Sequence, residues 1–398
     1  MFTAVFEDLS ALGQDFVDDP HPVYARLRAK GPVHRARSAA SGEFWLVVGH
    51  EEARAALTDA RLSNDIRHSS TWKDDGGNSI GLNMVQTDPP QHTRLRKLVA
   101  KDFTARRIEA LRPRVQQITD ELLDAMVPSG RADLVDAFAL PLPLAVICEL
   151  LGVPATDRKR FNDWYLESTD FAKPEAAMAA AQAMTGYLAE LIEAKRREPG
   201  DDLLSALARS VDDAGEEADR LSTEEMLGMA FLLLVAGYET AASVLSSGTL
   251  ALLRHPEQLA ALRADWSLLD NAVEEMLRYE GPVETTAFRY TKEPVEIGGV
   301  SIPQGESVAV VLAAASRDPQ RFAEPDRFDI HRDTRGHMAF GHGIHHCLGA
   351  PLARMQAAVA FRALLERCPG LALDIDPDAL TWRPSMMLRG LHQLPVTW

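Results

Sequence analysis

Ser222-Thr223-Glu224-Glu225 opens the pattern that most restricts how this chain can fold. A serine followed three residues later by a glutamate is a capping box, in which each side chain takes a backbone N–H left over at a helix start. The helical pattern then runs from Thr223 to Leu253. Roughly 30 residues at 1.5 Å each make a rod of about 45 Å, long enough to cross a domain. Phe231–Ala236 is apolar on every side, which predicts that the middle of the rod is buried. Yet the turn there reads Ala236-Gly237-Tyr238-Glu239-Thr240. A glycine, a charge and a hydroxyl in a core helix run against helix propensity and burial preference together. One reading is structural: Gly237 permits close packing, and Thr240 bonds back to a carbonyl one turn earlier. The other is that this turn carries chemistry.

Around the rod, helical signals dominate, at Pro22–Lys30, Glu51–Leu57, Thr104–Met126, Ala176–Arg197, Pro256–Arg263 and Pro351–Arg367. Strand signals are fewer. Val33–Arg37 and Phe44–Val48 flank a Ser41-Gly42 turn and predict a hairpin. Val295–Ile302 alternates around Gly298-Gly299, and Ser307–Leu312 follows Pro303 and Gly305. The predicted fold class is mainly α with small β-sheets (α+β), the sheet drawn partly from distant segments. That mixture points to one integrated domain over residues 1–398, although length alone suggests two to three units. The acidic stretch Pro199–Arg220 reads as a solvated connection between helices.

Asp and Glu number 58 against 42 Lys and Arg, a formal charge of −16. A phosphate-binding surface needs the opposite sign, so nucleic acid is not expected as a partner. The N-terminal MFTAVFEDLS has neither the basic start nor the apolar core of an export signal. The strongest apolar runs, Met229–Ala236 and Val308–Ala315, are less than half a membrane span, so no membrane partner is expected. Three widely spaced cysteines, Cys148, Cys347 and Cys368, form no disulfide framework and suit the reducing cytoplasm.

One of those cysteines stands out. Phe340-Gly341-His342-Gly343-Ile344-His345-His346-Cys347-Leu348-Gly349 leads into Ala350-Pro351-Leu352-Ala353-Arg354. Its glycines allow tight turns and close backbone approach, and Pro351 suits the first turn of a helix. Cys347 therefore lies where a loop feeds a helix N-terminus, a setting that lowers a thiol pKa and favours thiolate. A small buried hydrophobe is the bland alternative for a lone cysteine. Zinc is another, given His342, His345 and His346, but the paired ligands zinc usually takes are missing.

The segment resembles the cysteine loop of the cytochrome P-450 family in its soluble bacterial branch. The family pattern F-G-x-G-x-H-x-C-x-G is met by Phe340, Gly341, Gly343, His345, Cys347 and Gly349. The resemblance implies a P-450 fold, with haem b between the long central helix and the cysteine-loop helix. It makes Cys347 the axial thiolate of the haem iron, a ligand that favours O–O cleavage. Phe340 and Gly341 then lie against the cofactor, and His345 reaches a propionate. Asp88–Arg96 starts another helix, on which His92 and Arg96 share a face; by resemblance they also meet the propionates, with Arg289. A solvated basic helix is the plain alternative. The family's A-G-x-[D/E]-T pattern matches Ala236–Thr240, which implies that Thr240 hydrogen-bonds dioxygen and that Glu239 relays protons. Glu275-x-x-Arg278, otherwise an ordinary surface pair, corresponds to a buried network completed by an arginine, here expected to be Arg327.

The resemblance spans essentially the whole chain. It implies a monooxygenase that inserts one atom of O2 into a substrate C–H bond, with NAD(P)H electrons arriving through a separate ferredoxin and ferredoxin reductase. Arg94, Lys97 and Lys101, opposite His92 and Arg96, are expected to help dock that acidic ferredoxin. The substrate pocket is expected to draw on Asn83–Val85, Tyr165–Phe171, Leu232 to Glu239, Ala287–Phe288 and Met386-Met387. Its apolar, Met-containing character suits a bulky hydrophobic small molecule such as a polyketide macrolide, steroid or terpenoid. The protein is expected to be monomeric. Peroxygenase or oxidative-coupling chemistry, and a non-enzymatic haem sensor, are the alternatives.

Overall fold

The structure is a computed structural model describing residues 5–39, 41–73, 83–168, 173–209 and 221–398. The chain divides into two compact units, one of Met1–Lys73, Leu123–Ala139 and Thr240–Trp398, the other of Asp74–Leu122 and Leu140–Glu239.

The first unit holds every strand found among the described residues. Val33–Ser38 and Gly42–Val47 form the expected antiparallel hairpin, with Val33 opposite Val47. Phe6–Asp8 adds parallel to its outer edge. Ser307–Val310 pairs parallel with the inner edge, followed by Arg289–Thr291 and Leu62–Ser63, so six strands from distant segments make one sheet. Val295–Ile297 and Val300–Ile302 form a separate hairpin across Gly298-Gly299, both glycines at positive φ. One sheet face packs Val33, Trp45, Val47, Val308 and Val310 against Ala53, Ala56 and Leu57 of the helix His50–Thr58.

Among its described residues the second unit contains helices and no strand. Gln91–Ala100, most of Ala105–Met126, Pro141–Leu151, Arg158–Ser168, Pro174–Arg197 and Leu203–Arg209 make it up, with the first half of Thr223–Arg254. Pro141–Leu151 escaped the periodicity reading because it is almost wholly apolar and buried, with no polar face to reveal the period. Leu203–Arg209 corrects the reading of the acidic stretch as connection alone. Asp202 starts this helix, accepting from the Ser205 N–H at 2.8 Å and from Lys195 Nζ at 2.6 Å. The acidic residues Asp212 to Asp219 lie outside the described residues.

The long helix, Thr223–Arg254, is 32 residues. Its capping box is formed: Ser222 N–H donates to Glu225 Oε2 at 2.9 Å, and Glu225 N–H to Ser222 Oγ at 3.0 Å. By length and composition it passes for a membrane span, which runs of consecutive apolar residues had not suggested; half of its most apolar window is buried in the protein. The sequence predicted a buried middle, and the burial is only partial. Leu233, Leu234, Tyr238 and Glu239 are buried, whereas Leu232 and Thr240 are half-buried and Ala236 is exposed. Those last three are spaced by four and lie on one stripe.

The helix Leu269–Tyr279 carries the most deeply buried charges. Glu275 and Arg278 have fully buried side chains joined by two hydrogen bonds of 2.7 and 2.9 Å. Arg278 also donates to the carbonyls of Ser316 and Pro325. The third member is not the expected Arg327. That side chain is largely exposed and pairs with Glu324, offering the network only its carbonyl. Arg332 takes the place, its Nε donating to Glu275 Oε1 at 3.3 Å from an 11 % exposed side chain. Glu275 Oε1 also accepts the Asp329 N–H, so the loop folds back and brings Arg332 inward while Arg327 turns out.

A second buried group sits at the end of this helix. Burial works to raise the Glu280 carboxyl, but Arg389, His21 and Arg317 outweigh it and hold it well below the usual range. Glu284 lacks that cationic shell. Desolvation pushes it up to about 7, against the hydroxyl of Tyr24 that donates to it and the charge of Arg389.

Removing the charge of Glu275 leaves Arg278 uncompensated in the core. Glu275→Gln is expected to cost about 3 kcal/mol in urea unfolding of the holoprotein, and Arg332→Ala to cost more than Arg327→Ala; the reverse order would contradict this network. Glu284 carries a pH signature. Between its ordinary 4.5 and about 7 the folded protein holds a proton that the unfolded chain has released. Stability therefore declines as pH rises through that window and levels off above it. Glu284→Gln should flatten this part of the profile, measured as midpoints of urea unfolding.

Candidate functional site

The cysteine loop lies in the first unit and is shaped by its glycines. Gly341 and Gly343 adopt φ of 71° and 77°, a region that side chains rarely enter. At Gly343 a Cβ would also meet the Leu57 carbonyl at 2.7 Å. A short 3-10 turn, Gly343–His345, follows, and the Cys347 N–H donates back to the Phe340 carbonyl at 2.9 Å. The chain then enters the helix Ala350–Arg367, with Pro351 in its first turn and no side chain capping its start.

Cys347 is exposed, whereas Cys148 and Cys368 are buried. Burial pushes the Cys148 thiol up to about 12 and Cys368 up to about 11, so both remain protonated. Only Cys347 joins exposure to a helix start. Among the described residues no three His, Cys, Asp or Glu side chains converge as a metal cluster.

Behind the loop lies a group that sequence reading missed. Arg354 donates from Nε to Glu274 Oε1 at 2.5 Å and from Nη2 to Oε2 at 2.9 Å. His337 Nε2 lies 2.9 Å from the same carboxylate. Burial works to raise Glu274, but these partners bring it down to about 2. The Arg354 guanidinium also sits 4.4 Å from the centre of the Phe340 ring. The signal was faint: Glu274 adjoins the more recognisable Glu275, and its partner is 80 residues away.

In the polar turn of the long helix, Glu239 is buried and accepts the Tyr165 hydroxyl. The rings of Tyr165 and Tyr238 meet edge to face at 4.7 Å, and Tyr238 donates to Asn162 at 2.5 Å. Both contacts join this turn to the helix Arg158–Ser168. Gly237 does permit close packing: a Cβ there would lie 3.1 Å from Ile147 Cδ1. Thr240, next along, is half-buried.

The expected cationic residues are distributed over both units. In the second, His92 is buried, and burial followed by the charge of Arg96 lowers its pKa. Arg96 follows four residues later on the same helix face and is half-buried. In the first, Arg289 is buried in the strand Arg289–Thr291, and His345 is half-buried in the cysteine loop. Arg94 needs correcting as a docking charge. It is paired with Glu225 of the capping box, leaving Lys97 and Lys101 as the exposed cations of the strip. Of the expected pocket residues, Met387 is exposed while Met386 packs against the sheet core, and residues 169–171 lie outside the described residues.

Within the first unit the donor set fits a haem: one accessible thiol at a helix start, closely approachable glycine backbone beside it, and the buried Arg289 as a cation suited to a carboxylate. A Cβ built at Gly349 would lie 3.9 Å from the Cys347 sulfur, so the loop brings the Gly349 backbone close to it. A narrow apolar cleft lies between Ala241, Val244 and Leu245 of the long helix and Ala353 and Ala357 of the cysteine-loop helix.

Comparison with known proteins meets these features at both levels. A sequence model of the cytochrome P-450 family matches residues 155–373. The chain is 57% identical over 396 residues to the cytochrome P-450 monooxygenase PikC of Streptomyces venezuelae, covering 98% of this chain and 94% of that protein. It is 49% identical to the 6-deoxyerythronolide B hydroxylase of Saccharopolyspora erythraea, covering 95% of this chain and 96% of the other. Among solved structures, the P-450 monooxygenase TamI bound to tirandamycin C superposes with a TM-score of 0.88 at 47% identity, covering 98% of this chain and 99% of that one. The loop that presents Cys347 thus belongs to a chain similar to these enzymes along nearly its whole length, and the protein is a member of the cytochrome P-450 family, a haem-dependent oxidoreductase.

Proposed function

We propose that this protein is a haem-thiolate monooxygenase that inserts one atom of O2 into a C–H bond of a bulky hydrophobic small molecule. A polyketide macrolide is placed ahead of a steroid or terpenoid. The observation that carries the reading is the exposed Cys347, set by a glycine-shaped loop at the start of a helix. The named hydroxylase of 6-deoxyerythronolide B and the tirandamycin C complex of TamI favour a large natural product as substrate.

When bound, the haem supplies dioxygen activation and oxygen transfer, chemistry that amino-acid side chains alone do not provide. Cys347 would hold its iron through the thiolate, and Phe340 and Gly341 would lie against it. His92, Arg96, Arg289 and His345 are assigned to its propionates. The protein's own task on the oxygen side is to hold and move protons. Tyr165 donates to Glu239 and fixes the orientation of that carboxylate. Glu239 is buried and precedes Thr240 in the same turn, and the proton relay is assigned to these two side chains. Ala241, where a second hydroxyl would otherwise follow, leaves Thr240 as the one hydroxyl side chain between Glu239 and Ala242. Electrons derived from NAD(P)H would arrive through a ferredoxin and its reductase at a surface that includes Lys97 and Lys101. In this reading the whole chain is one P-450 domain. It works as a cytoplasmic monomer.

Turnover under 18O2 with surrogate ferredoxin and reductase should place one labelled oxygen in the product. Product without label would overturn the monooxygenase assignment. Thr240→Ala is expected to lower product formed per NAD(P)H by about tenfold or more, as loss of a proton-transfer group does; unchanged coupling would remove Thr240 from its role. Lys97→Glu with Lys101→Glu should slow reduction by the ferredoxin and weaken its salt dependence. Stopped-flow reduction rates that match wild type at every ionic strength would exclude this surface.

A further inference from the structure

Two adjacent carboxylates on one helix have opposite surroundings. Glu275 is fully buried with Arg278, and that pair braces backbone carbonyls of the following loop. Glu274 faces the cysteine loop, and its pair with Arg354 is partly open to solvent, at 23% and 40% side-chain exposure. A pair so exposed contributes little to folding stability. It is nevertheless held from several sides: two hydrogen bonds from Arg354, one contact from His337, and the Phe340 ring under the guanidinium.

We propose that the Glu274–Arg354 pair, steadied by His337, is a charge-setting device for the Cys347 sulfur, which makes these three positioning residues that tune the ligand's donor strength. Phe340 is the link. Its ring lies beneath the Arg354 guanidinium, and its carbonyl accepts the Cys347 N–H. Arg354 is thereby kept beside the loop instead of swinging into water. The proximity is electrostatic as well as steric: Arg354 is stabilised as a cation mainly by Glu274, and Cys347 adds to this.

The sign of the effect follows from charge alone. A cation near the sulfur stabilises its negative charge and weakens its donation, and so favours the reduced, more negative iron centre. A carboxylate clamped onto that cation cancels part of its field. Glu274 therefore keeps the ligand a stronger donor than a bare Arg354 would allow, and Arg354 keeps it weaker than a bare Glu274 would. The structure suits this task because the bidentate geometry fixes both charges relative to the loop.

This inference rests on Cys347 being the axial ligand, and the test separates the two. The reduction potential of the substrate-free holoprotein is measured by spectroelectrochemical titration, with the reduced carbon monoxide spectrum recorded on each sample. Glu274→Gln should raise the potential and Arg354→Met should lower it, while the combined substitution returns it toward wild type and Arg354→Lys stays close to wild type. A purely bracing role would move the single substitutions in the same direction and the combined one further. Potentials that shift together, or not at all, in samples keeping a red-shifted Soret band overturn the proposal and leave Cys347 in place. A wild type without that band overturns the ligand assignment instead. If Glu274→Gln gives no folded holoprotein, the Arg354→Met potential decides: a fall supports the pair as charge setter, and no fall overturns it.

Discussion

The pairing of Glu275 with Arg278 is the interaction on which the surroundings of the cysteine loop depend. Two charges removed entirely from water persist only when each is closed off by partners. Here closure requires the carbonyls of Ser316 and Pro325, the N–H of Asp329 and the side chain of Arg332. Satisfying one ion pair therefore fixes the course of the chain from residue 316 to 332, and with it the start of the stretch leading to Phe340. The same helix turns Glu274 towards that stretch, where it engages His337 and Arg354. One helical turn thus supplies both a brace for the backbone and a charge pair beside the proposed ligand.

The long helix solves a different problem. A rod of 32 residues can hold a buried glutamate only if something meets its charge. Tyr165 does so from the helix Arg158–Ser168, and the Tyr238–Asn162 contact anchors the same pair of helices one residue away. Gly237 permits the close approach of Ile147 on the neighbouring side. The polar turn is unfavourable in a core helix, and Tyr165 and Asn162 offset that by satisfying Glu239 and Tyr238.

Much of this was legible in the amino-acid order, and unevenly. Local signals carried well: the Ser222/Glu225 capping box, the hairpin at Ser41-Gly42, and the cysteine loop with its glycines all formed as read. Features that depend on distant partners did not carry. Arg327 and Arg332 lie five residues apart, and spacing cannot say which of them a folded-back loop turns inward. Arg94 belongs by periodicity to a basic strip, but Glu225, 131 residues away, claims it. Pro141–Leu151 has no polar face, so its period was hidden. The Glu274–Arg354–His337 group was invisible because each member is unremarkable until the fold brings them together.

The central claim is that Cys347 binds haem iron as a thiolate. It is tested most directly by the absorption spectrum of the reduced carbon monoxide complex, recorded for the wild type and for Cys347→His. The expected result is a strongly red-shifted Soret band in the wild type that is lost in the variant while haem content persists. A wild-type complex without the red shift, or a variant that retains it, would contradict the assignment of Cys347 and the function built on it.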